Sequence, residues 1–238
     1  DALPALREPD DRGDAMVVPP IASWMIEHSD TPTDFADFSQ SMVLVAPSGL
    51  TVEVLGDLLR EVVDVHPMLS AALIRTDAEW ELRPARPFDP ALAVSETDAP
   101  VFAGDPAFAD TIRAAFEQAS AGLDPAAGRL VSAVLVNDPD GTGRIVLVIH
   151  HLGVDAVSWR PIIEDLITAW AQHSAGHPYA LRVEQTSAAA WSRAVADQAD
   201  ARLPELDYWT RRLPERQTDL GVAIDRDRDR MATVHSVV

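Results

Sequence analysis

The stretch from Arg144 to Leu166, RIVLVIHHLGVDAVSWRPIIEDL, constrains the fold more than any other. Val146, Leu147, Val148 and Ile149 form an unbroken, mostly β-branched block, with Asp138, Pro139, Asp140 and Gly141 before it and Gly153 after it. Such a run between turn residues predicts a strand buried on both faces, because a strand with one wet face would alternate. His150 and His151 then fall where the strand ends. Beyond Val157 the pattern changes: Trp159, Ile162, Ile163, Leu166, Ile167 and Trp170 recur at spacings of three and four, the period of a helix with one apolar face. Ser158 is its expected cap, and Pro161 is tolerated within the first turn, where a missing N–H breaks no helical bond. The segment predicts strand, polar loop and helix, with titratable side chains on the loop.

The 238 residues suffice to bury a substantial core, as one large domain or two small ones. No run of about eighteen apolar residues is present, so no membrane span is expected, and no basic-then-apolar leader opens the chain. Cysteine is absent, which removes disulfides and thiol chemistry and agrees with a cytoplasmic location. Nineteen basic side chains, all Arg, stand against thirty-eight acidic ones, a formal net charge of −19. A surface so negative repels a phosphate backbone, and nucleic acid is not an expected partner.

In chain order, residues 1–15 read as a lead-in or linker, with order from Met16. Val17 to Pro20 predict an extended entry, and Ile21, Trp24, Met25 and Ile26 a short helix. Ser29 to Asp37 is an expected loop. Phe38 to Ala46 predicts a strand with Met42 to Val45 as its buried part. Thr51 to His66 carries Val54, Leu55, Leu58, Leu59, Val62 and Val63 at helical spacing and is closed by Pro67. Leu69 to Ile74 and Glu79 to Leu82 predict a hairpin, with Trp80 facing the core. Arg83 to Asp105 is rich in proline and predicts a surface crossing with one edge strand at Ala91 to Val94. A helix over Phe108 to Ala121 follows, then a hairpin of Leu130 to Val136 with Arg144 to Ile149 around a DPDGTG turn. Thr186-Ser187 is placed to cap a helix packed through Trp191 and Val195, and Glu205 to Leu213 predicts another. The DRDRDR run near the end reads as a solvated connector.

Adjacent histidines on an extended segment point to opposite faces, so His150 and His151 are not expected to share one substrate or metal atom. One should face the core as a hydrogen-bonded structural group, and His150 is assigned that part. His151, on the open side, is placed to titrate near neutrality and move a proton, or to be a partly exposed histidine without a role. Asp155 either orients a ring or holds the loop by accepting backbone N–H groups. His173 and His177 lie beyond a whole helix, and no metal site is expected. No P-loop, G-x-S-x-G, G-x-G-x-x-G or zinc-binding pattern occurs, which leaves proton transfer as the chemistry of this loop.

HHLGVDAVSWRPIIEDL resembles the HHxxxDG signature region of the condensation superfamily of nonribosomal peptide synthetases, and its VSWR-x-x-x-EDL continuation is more like the epimerization branch. PPIASWMIEH resembles that branch's opening Pro-Ile-x-x-Trp segment and FSQSMVL its Phe-Asn-Gln-Ser strand. VDVHPMLSAAL is similar to its His-x-x-Leu-Arg helix end, and TSAAAW to its later Thr-Ser-x-x-x-Trp. The likeness runs from about Val17 to Trp209. It implies an α/β (α+β sandwich) fold, a chloramphenicol acetyltransferase-like lobe with a mixed β-sheet and packed helices. Residues 16–215 would be the N-terminal lobe, and 216–238 a connector and the start of a missing C-terminal lobe.

The resemblance also implies a function. In epimerization relatives the second histidine, here His151, works with a glutamate from the second lobe to exchange the Cα proton of an aminoacyl or peptidyl thioester. That substrate rides on the phosphopantetheine arm of a peptidyl carrier protein domain, and no cofactor is bound directly. The other implied partners are the C-terminal lobe and neighbouring synthetase domains. His150, Asp155, Ser158, Trp159 and Arg160 are the expected supporting residues. Two positions depart from the pattern: Ala156 replaces the usual glycine, and Ser70 the usual arginine that pairs with the signature aspartate, leaving Arg75 or Arg160 as substitutes. The alternatives are a condensation domain forming an amide between two carrier-bound substrates, and a degenerate, non-catalytic docking module.

Overall fold

The apolar block that ends in the two histidines becomes a central strand of a four-stranded sheet. The computed structural model describes residues 15–27, 36, 38–76, 79–84, 87–139, 141–184 and 186–212. The strands are β1 (Met16–Val17), β2 (Ser39–Val45), β3 (Ala71–Arg75), β4 (Trp80–Pro84), β5 (Val94–Asp98), β6 (Val131–Asn137) and β7 (Arg144–His150). The helices are α1 (Pro20–Glu27), α2 (Val52–Val65), α3 (Pro90–Ala93), α4 (Phe108–Ala121), α5 (Trp159–Ser174), α6 (Ala188–Asp197), α7 (Ala199–Arg202) and α8 (Leu206–Arg212).

The larger sheet has the order β2-β7-β6-β5, antiparallel except for the parallel β5–β6 pair, whose crossover carries α4. Alternation along β6 and β7 divides their side chains between two cores. Val131, Ala133, Leu135, Ile145, Leu147 and Ile149 pack with α2 and α5, whereas Val134, Val136, Val146 and Val148 pack with α4. Both faces are covered, which is why these strands read as continuous apolar runs. A second sheet, β1-β4-β3, shares a separate core with Ala22 and Ile26 of α1 and Ala189 of α6.

The hairpin of β6 with β7 and the Thr51-to-His66 helix form as the sequence predicts. Gly141 takes φ +76° in the turn, and the Thr51 hydroxyl accepts the Val54 N–H at 3.4 Å. Other expectations need correction. Met42 to Val45 are not the buried part of their strand: β2 lies at the sheet edge among the described residues, and Val45 is 70 % exposed. A strand lacking a neighbour on one side and a helix above one face cannot be enclosed, however apolar it is. The expected strand at Ala91–Val94 is instead the one-turn helix α3, capped by Asp89, and the strand begins at Val94. In α6 it is Ala189, Ala190 and Ser192 that are buried, while Trp191 is half-exposed. The expected loop at Ser29 to Asp37, apart from residue 36, and the DRDRDR run lie outside the described residues.

Contacts divide the chain into two compact units, Asp1–Ala196 and Asp197–Val238. In the second unit Tyr208 and Trp209 meet edge to face at 5.1 Å, and the Arg212 guanidinium lies over the Tyr208 ring at 5.1 Å.

Candidate active site

The loop from His150 to Ser158 is fastened into two cores at once. Leu152 is buried in the core of the small sheet, and Val154 and Trp159 in the core beneath α2 and α5. A segment anchored on alternate sides by buried apolar groups holds its polar residues in place without a long ladder of hydrogen bonds.

The two histidines separate as their adjacency requires. His150 is fully buried; its N–H reaches the Leu130 carbonyl at 2.8 Å, and its Nδ1 accepts the Leu152 N–H at 3.1 Å. It is a structural side chain that turns the end of β7 into the loop. His151 is partly exposed and is held by the end of β2. Its N–H donates to the Phe38 carbonyl at 2.8 Å, and its ring stacks on Phe38 with 4.8 Å between centroids. Its Nε2 lies 3.1 Å from Gln40 Nε2, and Gln40 Oε1 accepts the buried Trp159 indole N–H at 2.7 Å.

Asp155 faces no arginine among the described residues. Its Oδ1 accepts the Ser158 hydroxyl at 2.6 Å, the Ser158 N–H at 2.8 Å and the Val157 N–H at 3.0 Å. The Ser158 hydroxyl and N–H are the main reasons its carboxyl sits below the ordinary aspartate range, with the Val157 N–H and the nearby His151 adding to them against slight burial. Asp155 therefore holds the loop by accepting backbone N–H groups, the second of the two roles expected of it, whereas Ser158 occupies the N-cap position of α5 without the expected capping through its side chain. Neither expected substitute reaches Asp155. Arg160 pairs with Glu164 at 2.9 Å on the exposed side of α5, and Arg75 lies over the Trp80 ring at 5.7 Å. Ser70 turns its hydroxyl to the Pro67 carbonyl. No non-glycine residue among those described has positive φ, so the methyl of Ala156 fits the loop without strain.

A cavity of about 280 Å³ opens beside the loop. Met16, Met68, Leu82, Leu152 and half-exposed Trp191 give it an apolar lining, into which His151, Asp155 and Ser158 contribute polar groups. An apolar hollow with a few convergent polar atoms is the usual form of a small-molecule site. No group of three or more His, Asp or Glu side chains among the described residues is arranged to hold a metal ion, and no described helix is long and apolar enough to cross a membrane.

A second histidine cluster was not legible in the sequence. His66, at the C-terminal end of α2, places Nε2 2.7 Å from Asp165 of α5 and Nδ1 2.7 Å from Glu184. Partners 99 and 118 residues away have no spacing to recognise. Burial depresses the imidazole's pKa, but the hydrogen bonds and charges of Glu184 and Asp165 overcome it, and the net direction is upward from the ordinary histidine value. A raised folded pKa means that this contribution is complete below about pH 6.5 and is lost as pH rises through the folded value. Thermal unfolding of the native chain should therefore show a stability contribution that fades as pH rises above the ordinary histidine value. His66→Gln should lack it; an unchanged pH dependence in that variant contradicts the assignment.

Fold and loop together define a mixed α/β lobe of the chloramphenicol acetyltransferase type, with a histidine presented at the end of a central strand. The condensation domain family model matches residues 21–235, and the chain belongs to that family, the condensation superfamily of nonribosomal peptide synthetases. It is 32 % identical over 205 residues to a linear gramicidin synthase of Brevibacillus parabrevis, covering 82 % of this chain and 4 % of that protein. It is 28 % identical over 215 residues to a surfactin synthase of Bacillus subtilis (strain 168), covering 89 % of this chain and 6 % of that protein. Among solved structures, the epimerization domain from the third module of tyrocidine synthetase B superposes with a TM-score of 0.73 at 21 % identity, over 90 % of this chain and 48 % of that one. The starter condensation domain of rhizomide synthetase superposes at 0.68 with 14 % identity, over 84 % and 48 %. The chain thus spans about half of each solved domain and a few per cent of the curated synthetases.

Proposed function

We propose that this chain is the first lobe of an epimerization-type domain that inverts the Cα of an aminoacyl or peptidyl thioester on a peptidyl carrier protein within a cytoplasmic synthetase. The observation that carries the reading is the placement of His151: a partly exposed imidazole, braced by Phe38 and Gln40, on the wall of a largely apolar cavity. A thioester acidifies its α-hydrogen, yet that hydrogen leaves slowly in water, so a base within hydrogen-bond reach and donors for the enolate oxygen are both required. His151 supplies a base on one face of the carbon. The proton acceptor or donor on the opposite face, the glutamate that the family resemblance implies, would come from the second lobe.

The VSWR continuation favours epimerization. A condensation domain is the second reading, and the superposition with a starter condensation domain supports it. The two differ in stoichiometry. A complete domain carrying this lobe should change the stereochemistry of a residue loaded on a single carrier, whereas condensation requires two loaded carriers and yields an amide. Amide formation without stereochemical change would replace the first reading by the second. The 238-residue chain alone should show neither activity.

A further inference from the structure

Phe38-Ser39-Gln40-Ser41 stands out in the sequence, yet proton transfer by His151 does not by itself call for a glutamine. Gln40 pairs with Ile149 across the β2–β7 ladder, and its side chain lies between the indole of Trp159 and the ring of His151. The hydrogen-bond roles along this line follow from valence. An indole N–H can only donate, so the amide atom 2.7 Å from Trp159 Nε1 is the oxygen. The amide nitrogen therefore faces His151, and it too can only donate. His151 Nε2, 3.1 Å away, must offer its lone pair, which leaves the proton of the neutral ring on Nδ1. Nδ1 has no hydrogen-bond partner among the described residues, so nothing there selects the opposite tautomer. Turning the amide over would set N–H against N–H at Trp159, which is buried at the start of α5 and anchored in the core. The stack on Phe38 and the bond from the His151 N–H to the Phe38 carbonyl fix the ring from the same strand.

We infer that Gln40 is a positioning residue: oriented by Trp159, it fixes the tautomer of His151 and makes Nε2 the nitrogen that takes the substrate proton. The second half of this statement rests on the proposed function; the tautomer does not. In the transfer, the proton of the Cα–H bond goes to Nε2 and the electron pair stays with the thioester as its enolate. The Gln40 N–H gives way to substrate before the step and cannot return to Nε2 while that nitrogen is protonated. Return of a proton to the opposite face of Cα, from the acid of the second lobe, completes inversion; passage of the Nε2 proton through solvent back to that acid resets both groups and restores the bond to Gln40. Asp155, the charged group whose field couples to His151, lies on the loop and is tied to Ser158.

The test is the ring ¹⁵N spectrum of the 238-residue chain labelled at histidine, with the His151 signals identified by their loss in His151→Ala. At a pH where the ring is neutral, wild type should show a protonated Nδ1 and an acceptor Nε2. Gln40→Glu presents an acceptor to Nε2 and should transfer the proton to that nitrogen or give the imidazolium. Gln40→Met and Trp159→Phe should both give a mixture of tautomers. In a complete domain, Gln40→Glu should slow proton exchange by up to about 10²-fold, the lower end of what a correctly protonated general base contributes, with KM nearly unchanged. A wild-type spectrum with the proton on Nε2 overturns the inference, as does a folded Gln40→Glu with the wild-type pattern. If Gln40→Glu does not fold, the wild-type and Trp159→Phe spectra decide. An absence of epimerization with the expected tautomer would sink the proposed function and leave the Gln40 assignment standing.

Discussion

His151→Ala in a complete domain should lower the rate of Cα-proton exchange by about 10²- to 10⁴-fold, the usual worth of a positioned general acid or base, while leaving the protein folded. Only the ring is lost. The backbone N–H still donates to the Phe38 carbonyl, and Leu152 and Val154 still hold the loop in its two cores. The partly exposed position opens little cavity on truncation. The half-network that remains, Gln40 with Trp159, keeps its shorter bond, and the Gln40 amide can turn to water. Binding of the loaded carrier should be little changed, so the loss should fall on kcat. A variant that retained more than about a tenth of the wild-type rate would assign the proton transfer elsewhere.

His150→Ala should do the reverse, costing about 3–8 kcal/mol of stability before any effect on rate is measurable. Two causes add. Removing a fully buried side chain leaves a void of the kind that costs about 2–5 kcal/mol in large-to-alanine replacements. The Leu152 N–H also loses its acceptor, and an unsatisfied buried donor costs about 1–3 kcal/mol. Against a total stability of about 5–15 kcal/mol, that is enough to unfold much of the population at physiological temperature. His150→Leu separates the causes: it refills most of the space and should retain the cost of the lost polar contacts, the orphaned Leu152 N–H among them. Denaturant unfolding of both variants checks the pair of values. Equal losses would place the cost in the hydrogen bond, and a stable His150→Ala would remove His150 from the frame of the loop.

The sequence was informative where physics is local. Continuous burial of β6 and β7 left an apolar block, the helical periods of α2 and α4 survived intact, and Asp138 to Gly141 marked the hairpin. The separation of His150 from His151 followed from strand alternation alone. Errors came where neighbours decide. Nothing within Met42 to Val45 reports that β2 pairs on one side alone among the described residues, and nothing in Ser158 says that its hydroxyl will go to Asp155 rather than cap α5. Ser70 brings no cation to Asp155, and two backbone N–H groups and a hydroxyl hold that carboxylate instead. Long-range polar contacts were silent for the same reason. His66 meets Asp165 and Glu184, and Gln40 joins Trp159 to His151, across separations of about a hundred residues that only the folded chain closes.

The measurement closest to the central claim is deuterium wash-in. A complete domain carrying this lobe, given one carrier loaded with an aminoacyl thioester in deuterated water, should place deuterium at Cα and produce the opposite configuration, and His151→Ala should do so at a small fraction of that rate. Retained protium at Cα with an unchanged configuration, under conditions where a second loaded carrier gives an amide, would contradict it.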